Sequence, residues 1–180
     1  MMLQNNWAIS ILIWVISLSF GMLLGPRVSP YISYELNKII VRESQQFQLD
    51  PQLIRCLILA ESKGSNWAHS HKGARGAMQL MPSTAMELAQ KLKLNIHAED
   101  LWNPEVNIKL GCCYIQMLMQ RFEQDLVLVL AAYNTGPSRV ARWRRELKHL
   151  SPQEIIQQRG SRETKAFVAR VLQNYQANKQ

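Results

Sequence analysis

After residue 30, apolar residues recur at helical spacing, and no strand-like alternation of useful length appears. Leu36, Ile39, Ile40 and Phe47 fall on one side of a helix predicted over Tyr31 to Phe47. Asp50 can cap a second helix and Pro51 suits its first turn; Ile54, Leu57 and Ile58 then form its apolar stripe. A Gly- and Ser-rich stretch, 63–76, reads as a loop. A helix starts near Pro82, with Leu88 on its apolar side. Another opens at Asn103-Pro104 and carries Val106, Leu110, Cys113 and Met117 at helical spacing. The stretch 125–134, DLVLVLAAYN, is apolar almost throughout and predicts a central buried helix that stops at Asn134-Thr135-Gly136-Pro137. A basic helix follows, then a turn near Ser151-Pro152, then a last helix with Phe167, Val168 and Val171 periodic. The expectation is a mostly α fold, one helical domain of about 130–140 residues joined by loops rather than hairpins.

The first 26 residues have a different texture. From Trp7 to Gly25 there is no charged residue, and nineteen residues make about 28 Å of helix, close to a bilayer core. This predicts an N-terminal hydrophobic helix over 1–26, a signal peptide or a membrane anchor. Ser19-Phe20-Gly21 has the small-residue spacing of a cleavage site. The absence of Lys and Arg from MMLQNN and the length of the run favour retention as an anchor. Arg27, alone, would weakly favour keeping the rest of the chain in the cytoplasm. Residues 27–44 are expected to be a lead-in helix or linker.

Charge narrows the partner. The chain has 180 residues, a 47% apolar share and a formal net charge of +8, which points to an acidic partner: nucleic acid, anionic lipid or a cell-wall polymer. The densest cluster, 139–149, presents Arg139, Arg142, Arg145 and Lys148 at intervals of three, a pattern that a solvated helix face explains equally well. No nucleic-acid recognition motif accompanies it, so nucleic acid is excluded as a partner. Cys56, Cys112 and Cys113, an odd count with an adjacent pair, read as small buried hydrophobes rather than a disulfide framework. No Cys/His spacing suggests a metal.

One residue breaks the apolar pattern. Glu61 continues the stripe of Ile54, Leu57 and Ile58, seven residues after the first and four after the second. A carboxyl there is desolvated, which disfavours its charged form and suits a general acid near neutral pH. Local sequence alone leaves a helix-end glutamate leaning into solvent equally open.

The surroundings add a resemblance. From Glu61 to Gln79 the chain is similar, with no gap, to the soluble lytic murein transglycosylase (SLT) family, which has a goose-type lysozyme-like fold. Ser62, Ala68, Ser70, Gly73, Ala74, Gly76, Met78, Gln79, Met81 and Pro82 fall on pattern positions. Asn103-Pro104, Asn107, Gly111 and Tyr114 continue it, then AAYNTGP (131–137), then Glu163-Thr164 with Phe167-Val168. The likeness covers roughly 45 to 175 and implies a catalytic domain over 45–177.

The resemblance implies a peptidoglycan lytic transglycosylase, cleaving the β-1,4 bond between N-acetylmuramic acid and N-acetylglucosamine with a 1,6-anhydro product and no cofactor. It implies Glu61 as acid and then base, Tyr133 orienting it by a hydrogen bond, and Ser70, Gln79, Asn134 and Glu163 holding sugar or acetamido groups. Met81 would line an apolar wall. Three departures stand out: Gly64 where an aromatic is usual, Ala77 in place of Leu, and Phe167 in place of a frequent Tyr. Two alternatives remain: a lysozyme-type hydrolase on the same fold, and a catalytically weak wall-binding protein of a secretion apparatus. Glycan strands of the wall are the implied partner, with the inner membrane if the anchor is uncleaved, and a secretion or conjugation apparatus as a further one. A wall substrate implies export to the periplasm or cell envelope, against the vote of Arg27.

Overall fold

A computed structural model describes residues 32–178. The expected N-terminal hydrophobic helix lies outside the described residues. Eight α-helices follow in order among them: α1 (Tyr34–Gln46), α2 (Pro51–Ser62), α3 (Pro82–Lys91), α4 (Pro104–Arg121), α5 (Leu126–Thr135), α6 (Pro137–Glu146), α7 (Pro152–Arg159) and α8 (Arg162–Ala177). A 3-10 turn, Ala98–Trp102, precedes α4.

The helix starts follow from their caps. Asp50 accepts from the Gln52 amide at 2.8 Å, Asn103 from Glu105 at 2.9 Å and Asp125 from Leu128 at 3.0 Å. Each pairs an amide that the first helical turn would otherwise leave open. Tyr175 of α8 donates to the other carboxylate oxygen of Asp50 at 2.7 Å, which ties the start of α2 to the last helix. The sequence reading gave only a turn at Ser151-Pro152. The structure makes that pair the cap and first residue of α7, closed by a reciprocal Ser151–Glu154 capping box.

α5 is the centre of the core. Val127 to Ala132 are all buried, and the helix packs against α4, α6, α7 and α8. A helix that is apolar all round must be surrounded in this way. α2 lies between α1 and α8, while α3 and the 3-10 turn pack on α4. α1 contributes Leu36, Ile39 and Ile40 to the same core, so the boundary expected at 44/45 falls inside this helix. The three cysteines are buried and unbridged.

The segment between α2 and α3 is held in place by a few polar contacts. Isolated antiparallel bridges join His69 to Arg75 and Arg75 to Leu80. Asn107 of α4, fully buried, accepts from the Met78 amide at 2.8 Å and donates to the carbonyls of Arg75 (2.9 Å) and Leu101 (3.0 Å). Gly76 has φ +80°, and a Cβ there would lie 2.2 Å from Asn107 Nδ2 and 2.3 Å from the Leu101 carbonyl. Only glycine meets both demands. Together these contacts seat the loop on α4 and the 3-10 turn.

Candidate active site

Glu61 sits in the last turn of α2, after the fully buried Ile54, Leu57 and Ile58. The apolar stripe ends at a half-buried carboxyl. Burial raises its pKa from the ordinary 4.5 to about 7; the negative charge of Glu163 adds to the rise, and Arg170 opposes it. Arg170 donates to the carbonyl of Ala60 at 3.3 Å. Glu43 offers a contrast. It is buried more deeply, but Arg42 Nε lies 2.8 Å and Lys109 Nζ 3.9 Å from its oxygens. Glu61 has no such ion pair among the described residues, so desolvation wins there.

Tyr133, near the end of α5, donates its hydroxyl proton to the Met78 carbonyl at 2.6 Å. Its ring tilts against that of Tyr114, centroids 5.4 Å apart. Burial raises its pKa well above the ordinary value, and the charge of Glu61 is the next cause. The phenol thus stands beside Glu61, but its proton is committed to the loop. It orients the backbone of the loop first, and only its lone pairs are open to a protonated Glu61.

Gln79 has φ +48° and spends its amide nitrogen on the carbonyls of Ala68 (2.7 Å) and Gly76 (2.9 Å). Ser70 Oγ accepts from the Ala74 amide at 3.0 Å. Both side chains therefore shape the loop, and the Gln79 carbonyl oxygen and the Ser70 hydroxyl proton have no partner within the described residues. Met81 is exposed at the cap position of α3. Asn134 and Glu163 line one cavity of about 470 Å³ with Lys72, Arg139, Arg159 and Ser161. Glu163 is exposed and its carboxylate lies 3.8 Å from Lys72 Nζ. Phe167 is buried.

Charge interactions link Glu61 of α2 with Tyr133 of α5 and Glu163 of α8, while Gln79 and Ser70 lie on the loop that follows α2. Lys72 and Arg170 were not foreseen. Arg170 lies seven residues after Glu163, two helical turns along one face of α8, a spacing that could have found it. A larger cavity, about 650 Å³, lies elsewhere, over Phe122, Leu128 and Ile155 with Arg121, Arg144 and Arg145 at its rim. Neither Glu61 nor any other expected site residue lines it. Among the described residues no group of three or more His, Cys, Asp or Glu side chains is placed to hold a metal.

Known proteins resemble this chain in sequence and in fold. Residues 38–156 match the model of the transglycosylase SLT domain family; the match stops before Glu163. The soluble lytic murein transglycosylase of Escherichia coli K12 is 30% identical over 109 residues, 59% of this chain and 17% of that one. A membrane-bound lytic murein transglycosylase E of Buchnera aphidicola is 31% identical over 111 residues, covering 57% of this chain and 50% of its own. The chain therefore spans half or less of the length of these relatives. Among solved structures, the lytic transglycosylase Slt of Pseudomonas aeruginosa, an inactive mutant, superposes with a TM-score of 0.71 at 34% identity, over 77% of this chain and 23% of that one. The 70 kDa soluble lytic transglycosylase of E. coli gives 0.73 at 28% identity, over 79% and 23%. The chain therefore belongs to the transglycosylase SLT domain family.

Proposed function

We propose that the protein is a peptidoglycan lytic transglycosylase with Glu61 as its acid and then its base. The observation that carries this reading is the Glu61 carboxyl, raised to about 7 at the end of an apolar helix. Protonated, it gives its proton to the glycosidic oxygen as the bond from C1 of N-acetylmuramic acid to that oxygen breaks. The substrate's own 2-acetamido group supports the positive charge that develops. Glu61, now ionised, takes the proton of the C6 hydroxyl while that oxygen closes on C1. The 1,6-anhydro ring forms and no water is consumed. An ordinary glycosidase pair needs a second carboxylate for a nucleophile or a bound water. Glu163 is exposed and paired with Lys72, a poor environment for either task.

Asn134 and Glu163, sharing one cavity, hold sugar or acetamido groups, and the Gln79 carbonyl oxygen and Ser70 hydroxyl accept from or donate to the same strand. Met81 supplies an apolar wall. Tyr133 fixes the loop that carries Gln79. Glycan strands of the wall lie outside the inner membrane, so the domain works exported, in the periplasm or cell envelope. A retained N-terminal anchor would hold it on the membrane, where a secretion or conjugation apparatus could use local wall opening. Mass spectrometry of fragments released from purified wall tests the reaction. The expected products are one water lighter than hydrolytic ones and vanish in Glu61→Gln. Products of hydrolytic mass would make it a lysozyme, and unchanged release by Glu61→Gln would remove Glu61 from the chemistry.

A further inference from the structure

Trp67 is 75% exposed, more than any other large hydrophobic side chain among the described residues. It is not loose. Its amide donates to Ser65 Oγ at 3.3 Å, and its indole stacks on that of Trp102, centroids 5.9 Å apart and planes 26° apart. Trp102 is itself clamped. His69 meets it edge-on at 6.0 Å, and the Arg75 guanidinium lies 5.7 Å from its ring while donating to the Ala98 carbonyl at 3.0 Å. The packing therefore fixes an indole while leaving much of its surface in water. An indole held in one orientation with its surface in water offers a ligand a large apolar face at little cost in ordering.

Its position says which one. Trp67 is one residue from Ala68, whose carbonyl takes the Gln79 side chain. Its neighbours Ser65, His69, His71 and Lys72 are exposed and polar. A protein partner needs a broad face, about 800 Å² on each side, and here one indole pair stands in a polar rim. That combination fits a sugar ring: its C–H face lies on the indole, and its hydroxyls and acetamido group meet the rim.

We propose that Trp67, backed by Trp102, is a stacking shelf for one further sugar of the glycan strand, beside the part of the site held by Gln79. The inference rests on the glycan-cleaving reading above. It also gives a use to the length of the 63–80 loop, which carries the shelf and Gln79 on one folded unit.

The test uses Glu61→Gln protein, which holds substrate without turnover, and a hexamer of N-acetylglucosamine as probe. Trp67→Ala in that background should weaken binding about tenfold, and Trp67→Tyr, which keeps a ring, should recover most of it. In a spectrum of indole-labelled protein, the Trp67 side-chain N–H should shift most strongly on titration; its absence from Trp67→Tyr assigns it. Unchanged affinity in Trp67→Ala together with a still Trp67 resonance overturns the shelf and leaves the cleavage reading standing. That reading falls separately, if wild type releases no fragments from purified wall.

Discussion

Replacing Glu61 by glutamine should stabilise the protein, and by an amount that depends on pH. The carboxyl ionises at 4.5 in an unfolded chain and at about 7 in the fold. Below 4.5 both states hold the proton and the group is neutral to stability. Between 4.5 and 7 the unfolded chain has lost its proton while the native state still holds it, so stability falls as pH rises. Above 7 both are ionised and the full penalty of the buried charge is present. At ~1.4 kcal/mol per pKa unit, the interval from 4.5 to about 7 amounts to about 3 kcal/mol. Glutamine has nearly the same shape and no charge, so it escapes that penalty. For a domain of this size, 3 kcal/mol corresponds to roughly 6–12 °C in melting temperature. Thermal and urea denaturation across pH should show Glu61→Gln matching wild type near pH 4 and pulling ahead through pH 7, then keeping a constant lead. Two curves that stay parallel from about pH 4 to pH 9 would mean that Glu61 titrates normally, and the case for it as a neutral-pH acid would fall.

The same titration should be adjustable from its neighbours. Arg170→Met removes the opposing cation and should move the alkaline limb of the cleavage rate upward; Glu163→Gln removes a like charge and should move it downward, read as kcat/KM against pH. Tyr133→Phe strands the Met78 carbonyl and should cost about 1–3 kcal/mol in chemical denaturation, with faster amide exchange along the loop. Gly76→Ala must both hold φ +80° and push its Cβ into Asn107 and the Leu101 carbonyl; a loss of at least about 3 kcal/mol is expected, measured by urea unfolding, and a near-neutral change would mean the loop seat is not rigid.

Much of this protein was legible in residue order. Helix positions followed from periodicity and from Asp50 and Asn103, because a cap and an apolar stripe are local facts. The central burial of α5 was written in 125–134, since a helix with no polar face has nowhere else to go. The helix α7 was missed although Ser151 and Glu154 spell a capping box, because its apolar stripe is only Ile155 and Ile156. Glu61 stood out as a carboxyl on an apolar stripe.

What only the tertiary structure decided is the company each side chain keeps. Position along α2 does not say whether Glu61 meets a cation. Glu43 sits on a comparable buried face and is paired by Arg42 and Lys109, while Glu61 feels the opposed charges of Arg170 and Glu163, both from α8, without an ion pair among the described residues. Tyr133 was expected to orient Glu61 by a hydrogen bond; that its own proton goes to the Met78 carbonyl, fifty-five residues away, is visible only in the fold. The stack of Trp67 on Trp102 joins residues thirty-five apart. Those pairings depend on distances across the fold, and charge, desolvation and stacking all act through such distances rather than along the chain.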